Sequence, residues 1–193
     1  MKRLLTSPLL AAVLTLALTL TAPADTYKAR PGSLVKIDGS SNIHDWTVES
    51  KLIGGDMELS GDLNKPGKVA AKATAKISVR SIKSDKKAMD DIMHAAMKVE
   101  QHSAVVFELK ELTAQGDMKF EATGDLSLAG VTKEVKFPVT MEKADGDLMK
   151  VKGVLDTKMT DFGIQPPAPN IPGNPIKTAD EVKVTFEWLT KKQ

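Results

Sequence analysis

The 193-residue chain carries 27 Lys+Arg against 25 Asp+Glu, a net charge of +2, with 41% hydrophobic residues and no cysteine. Its lysines alternate with glutamates and aspartates as on an ordinary solvated face, which excludes the basic stripe of a nucleic-acid binder. The lack of cysteine excludes disulfides, thiolate metal sites, a cysteine nucleophile and lipidation of a cysteine after an export signal.

Lys2 and Arg3 precede an apolar stretch from Leu9 to Leu20 and then Ala22-Pro23-Ala24. A basic start, an apolar core well short of the roughly 20 residues of a membrane span, and small residues after it predict a secretory signal peptide over residues 1–24. Cleavage near Ala24 would leave residues 25–193 as one periplasmic or secreted domain with no transmembrane anchor and equal numbers of basic and acidic residues. That length is sufficient for one substantial core.

Residues 45–60 fit a strand pattern loosely, and Gly54-Gly55 predicts a bulge or sharp bend there. From Val69 the odd positions are Val69, Ala71, Ala73, Ala75, Ile77 and Val79, with polar residues on most of the even ones, a period of two that predicts a half-buried strand. Its inward side is rich in alanine, which leaves either room inside a barrel or close packing against something bulky.

Between Ser84 and Glu100 the period changes: Met89, Ile92, Met93, Ala96 and Met97 recur at spacings of three and four. This predicts an inserted amphipathic helix over about 85–99, capped by Ser84 or Asp85. Its methionine-rich face suits an irregular surface, either as a plug for one end of a barrel or as a contact for an apolar ligand through Met89 and Met93.

Alternation resumes at Val105, Phe107 and Leu109, at Met118, Phe120, Ala122, Gly124, Leu126 and Leu128, and at Val131, Val135, Phe137 and Val139. The last two runs meet at Gly130 and predict a hairpin with one shared buried face. Residues 147–160 fit less cleanly. Residues 165–175 hold five of the ten prolines and predict a stiff loop. Val182, Val184, Phe186 and Trp188 predict a closing strand. About eight antiparallel strands result, an all-β fold closed around an apolar interior.

Chemistry-bearing motifs are sparse. His44, His94 and His102 have no metal-ligand spacing, no G-x-S-x-G turn accompanies His44-Asp45, and phosphate-binding glycine loops are absent. Asp90-Asp91 reads as a solvated helix edge. A hydrolase using His44 or His94 is the weaker alternative, and a scaffold with a filled barrel that binds a protein partner is another. The remaining specific site is the barrel interior, because small closed barrels hold one small ligand.

Gly124-Asp125-Leu126-Ser127-Leu128-Ala129-Gly130-Val131-Thr132-Lys133-Glu134-Val135-Lys136-Phe137-Pro138-Val139 resembles the G-D-L-T-L-x-G-V-T-K-x-V hairpin of the YceI-like, polyisoprenoid-binding family. Asn42-Ile43-His44-Asp45-Trp46, Val105-Val106-Phe107-Glu108, Asp161-Phe162-Gly163-Ile164 and Asp180-Glu181-Val182-Lys183-Val184 resemble further family segments in the same order. The resemblance implies an extended antiparallel β-barrel of lipocalin-like architecture. It implies no catalysis, no metal and no cofactor beyond an isoprenoid lipid or isoprenoid quinone held in the barrel. Candidate ligand-binding residues are then Asn42 and His44 toward a polar head, Trp46 beside them, Ala71, Ala73, Ala75, Ile77, Phe107, Phe120, Leu126, Phe137 and Phe186 along the interior, and Met89 and Met93 from the helix. Met89 to Met97 keeps an acid and a histidine but lacks the arginine of the family's R-D-x-H-L stretch. A homodimer is compatible with this reading.

Overall fold

A computed structural model describes residues 24–169 and 175–193. The proposed signal peptide and the centre of the proline-rich loop therefore lie outside the described residues. Ten strands are present in chain order: β1 (Asp25–Ala29), β2 (Leu34–Ser41), β3 (Trp46–Ser50), β4 (Gly54–Ser60), β5 (Gly67–Ser78), β6 (Ala104–Gly116), β7 (Lys119–Leu128), β8 (Val131–Ala144), β9 (Leu148–Lys158) and β10 (Thr178–Lys192). One helix, α1 (Lys87–Ala96), lies between β5 and β6.

Every pairing between these strands is antiparallel, and the order β1-β4-β5-β6-β7-β8-β9-β10 closes on itself through β1–β10, giving an eight-stranded barrel. The remaining two strands extend one end. The first part of β10 pairs with β2, which pairs with β3, while the last residues of β10 pair with β1. Backbone bonds between Glu49 and Lys83 then tie β3 to the chain beyond β5. The expected count of about eight thus matches the ring, with β2 and β3 added to it.

The hairpin at Gly130 forms as its sequence predicts, with Leu128 opposite Val131 and the register running without a break to Lys119 opposite Thr140. Ala129 and Gly130 both take positive φ, 52° and 86°, the backbone that a two-residue hairpin turn requires. No bulge occurs at Gly54-Gly55. The β4–β5 register is continuous there, and the bend is a break between strands at residues 51–53.

A register shift does occur in β6. Phe107 and Leu109 share the inward face with Leu126, but beyond the shift it is Leu112 and Ala114 that are buried. One extra residue reverses which parity faces in.

The two ends of the barrel differ. Phe120, Leu112, Met57, Leu59, Met141, Met149 and Trp188 form a packed core in the half closed by β1 and β4. At the other end Val48, Val79, Ile82, Met97, Val99, Phe162 and Ile164 form a second cluster beneath α1. The helix is shorter than expected because it ends in a Schellman motif: Lys98 takes φ 54°, its N–H bonds Ala95 O at 3.0 Å, and the Val99 N–H bonds His94 O at 3.1 Å. Its start is also built differently. The N-cap is Lys86 without a side-chain cap, and Ser84 instead donates its N–H and O–H to Asp90 Oδ1, at 2.6 and 2.8 Å.

Candidate functional site

Between the packed half and the helix, the barrel encloses a cavity of about 630 Å³. Its wall follows from strand periodicity. The inward residues of β5 (Ala73, Ala75, Ile77), β6 (Phe107, Leu109), β7 (Ala122, Leu126), β8 (Val135, Phe137, Val139), β9 (Val151, Leu155) and β10 (Val182, Val184, Phe186, Trp188) line one continuous apolar surface. Space in this interior arises because β5 faces it with alanines where its neighbours carry phenylalanine and leucine. The alanine stripe therefore borders open volume rather than packing on the helix.

Three phenylalanines form the bulk of one wall. Phe107 and Phe137 lie 5.3 Å apart between ring centroids, and Phe137 meets Phe186 edge-on at 5.8 Å. Such tilted and T-shaped contacts suit the ring quadrupole. Glycines on adjacent strands make room for two of these rings: a Cβ on Gly124 would stand 2.6 Å from the Phe107 ring.

The helix covers the other end. Met89, Ile92, Met93, Ala96 and Met97 all line the cavity, yet within α1 no residue is fully buried and Ile92 remains 40% exposed. Met89, Met93 and Ala96 pack on the cluster beneath the helix and border the cavity at the same time, with the His94 Nε2–H donating to Ile82 O at 2.8 Å as an anchor. Trp46 lines the same end, its indole seated against Gly39 and its Nε1–H donating to Ser40 O at 3.1 Å. Met159, Phe162 and Ile164, together with Pro167, Pro169 and Ile176, complete this part of the wall. The first part of the proline-rich loop and the residue after it thus reach the cavity.

Of the residues singled out in sequence, His44, Trp46, Ala73, Ala75, Ile77, Met89, Met93, Phe107, Leu126, Phe137 and Phe186 come together around this one cavity. Three stand elsewhere. Phe120 is 1% exposed in the packed half, and Ala71 packs on that same core, because period two reports the face of a residue but not its depth along the barrel. Asn42 is exposed and turned to the chain before β10, its Oδ1 accepting from Lys177 N at 2.7 Å and its Nδ2 donating to Pro175 O at 3.2 Å.

Trp188, Met159, Phe162 and Ile164 also line the cavity, although none of them is among the candidate site residues read from the sequence. Trp188 Nε1 is buried without a hydrogen-bond partner, the single such side-chain atom among the described residues. The polar lining is confined to strand ends: Ser41 closes β2, Thr157 and Lys158 close β9, Thr178 opens β10, Lys86 caps α1, and His44 lies in the β2–β3 turn.

The histidines are occupied locally. His44 donates from Nδ1 to Asp45 O at 2.7 Å, and neither the His44 nor the His94 ring bonds a serine or carboxylate side chain among the described residues, Ser41 Oγ meeting only the His44 backbone. The described residues contain no group of three or more side chains suited to a metal ion and no helix long and apolar enough to cross a membrane.

The family model of the YceI-like domain matches residues 32–188. No curated protein matches the chain in sequence. Among solved structures, Burkholderia cenocepacia BcnA superposes with a TM-score of 0.66 at 20% identity, over 81% of this chain and 95% of that one. A polyisoprenoid binding domain from Saccharophagus degradans, implicated in plant cell wall breakdown, has a TM-score of 0.66 at 15% identity, over 86% of this chain and 98% of that one. The Campylobacter jejuni YCEI protein gives 0.58 at 16% identity, over 76% and 84%.

Proposed function

This chain belongs to the YceI-like domain family, and on that premise we propose that it is an exported, non-catalytic binding or carrier protein that holds a long-chain isoprenoid lipid or isoprenoid quinone with its tail inside the barrel. The observation that carries the reading is the cavity itself, apolar along its length and polar only at one end. An amphiphile has that same division. The polyisoprenoid binding domain of the Saccharophagus protein, with the same fold, supports the ligand class.

The energetics favour such a ligand. Each methylene removed from water contributes about 0.8 kcal/mol, so several buried prenyl units offset the ordering of a flexible tail. Ala73, Ala75 and Ile77 leave the tail its room, the phenylalanine wall contacts it along one side, and the helix methionines adapt to its branches. Export is supported by the basic, apolar and small-residue succession of residues 1–24. Absence of catalysis is supported by His44 and His94, whose ring N–H groups bond backbone carbonyls rather than a nucleophile.

The test is native mass spectrometry of the protein purified from its natural host, followed by organic extraction. A stoichiometric prenyl lipid or quinone is expected. An experimental structure of that same material with a filled, ligand-free interior would overturn the reading.

A further inference from the structure

We infer that α1 carries a modification site: oxidation of Met89 and Met93 to their sulfoxides expels the guest from the barrel. The inference rests on the tail-binding reading above and adds to it a chemical trigger for release.

The placement of sulfur carries it. The chain has nine methionines and no cysteine, so thioethers are its only sulfur. Six of them line the apolar cavity: Met57, Met89, Met93, Met97, Met141 and Met159. They differ in access. Met57, Met141 and Met97 are 2%, 4% and 7% exposed, whereas Met89 and Met93 are half-buried on a helix in which no residue is fully buried.

Met89 and Met93 also seat that helix. Among the described residues, every hydrogen bond and ion pair made by residues 84–101 stays within residues 80–102, as in Ser84–Asp90, His94–Ile82 and Arg80–Glu100. Beyond its own flanks, α1 therefore meets the barrel through apolar contact, with Met89, Met93, Ala96 and Met97 in the cluster that includes Val48, Phe162 and Ile164. Met118 and Met159 are half-buried too, but neither lies on this helix.

The reaction needs a two-electron oxidant, a peroxide. The sulfur lone pair takes one peroxide oxygen as the O–O bond breaks, and the other oxygen leaves as water with both protons. Sulfur is oxidised, the peroxide is reduced, and a thioether and hydrogen peroxide become a sulfoxide and water. A sulfoxide oxygen is a polar acceptor, and turning it into an apolar cavity without a donor is costly. The surface under the tail and the seat of the helix are lost together.

The experiment uses the mature protein, tritiated geranylgeraniol as the probe and hydrogen peroxide as the oxidant, with sulfoxides located by peptide mass spectrometry. Once Met89 and Met93 are oxidised, affinity is expected to fall at least about tenfold and to return when methionine sulfoxide reductases restore both thioethers. Combining Met89→Leu with Met93→Leu keeps apolar side chains of similar volume. That variant is expected to bind within about twofold of the unaltered protein and to keep its affinity through the same peroxide treatment. Unchanged affinity with both sulfoxides in place, a loss that reduction does not reverse, or an equal loss in the leucine variant would overturn the inference and leave the tail-binding reading standing. If the reduced, unaltered protein does not bind geranylgeraniol, the tail-binding reading fails and the inference with it.

Discussion

Phe186 packs over Gly153, its register partner on the neighbouring strand, so closely that a Cβ on the glycine would stand 2.6 Å from the ring carbons Cε1 and Cζ and 3.1 Å from Pro138 O. The glycine is where an aromatic ring of the cavity wall gains its seat. Its φ is outside the left-handed region, so an alanine there meets a packing cost rather than a backbone one. Gly153→Ala is expected to lower stability by about 1–3 kcal/mol in chemical denaturation, as overpacking does. Adding Phe186→Leu should restore at least half of that loss. A neutral Gly153→Ala would mean that the ring has free space behind it.

Ala73 lines the open volume and faces Met57 in the adjoining strand. Ala73→Phe is therefore expected to project a ring into the cavity, reducing extractable lipid several-fold, with a stability loss of no more than about 1 kcal/mol because open volume lies on one side of a residue otherwise packed on the core. Retained lipid together with a large loss of stability would place the alanine in a filled core instead.

Cavity size sets a limit on tail length. At roughly 30 Å³ for each methylene-sized group, the share of one water in the liquid, a volume of about 630 Å³ accommodates on the order of 20 carbons. Across prenyl alcohols of two to eight units, affinity is expected to rise steeply to about four units and then to level off, since further carbons remain in water. Titration of the series by fluorescence or calorimetry would show it. A continued rise to eight units would require the barrel to expand.

The first turn of α1 carries a pH dependence. Burial alone would raise the Asp90 carboxyl, but the N–H and O–H bonds from Ser84 outweigh it, with His94 and Lys83 acting in the same direction, so that the group titrates below the usual aspartate range. A depressed carboxyl contributes stability in full above its unfolded-state value, and that contribution is lost as the pH falls through the folded-state value. Acidification below about pH 4 should thus release amide protection at Ser84 and in the first turn of α1 before it affects the barrel strands. Asp90→Asn should show the same loss at neutral pH, where hydrogen exchange read residue by residue would detect it.

Much of this fold was legible in the chain. Strands β5, β7, β8 and β10 alternate over eight or more residues, and the Ala129-Gly130 turn is local chemistry, so period and turn agree. Short β1 and β2 carry few repeats and escaped notice, because their place is decided by which halves of β10 they pair with. The inward set of β6 was half legible, since a single register shift exchanges Leu109 for Leu112 on the buried face. Depth was not legible at all: Phe107 and Phe120 both alternate inward, yet one borders the cavity and the other the packed end.

The chain has two tryptophans, and both line the cavity: Trp46 at the helix-covered end, and Trp188 toward the packed half with an unshared indole N–H. The protein consequently carries an optical ruler along its own interior. With Trp46→Phe or Trp188→Phe one emitter remains, and a tail brominated at its tip should quench Trp188 while a brominated head quenches Trp46. Which way round a guest lies, and how far in it travels, can then be measured without attaching a dye.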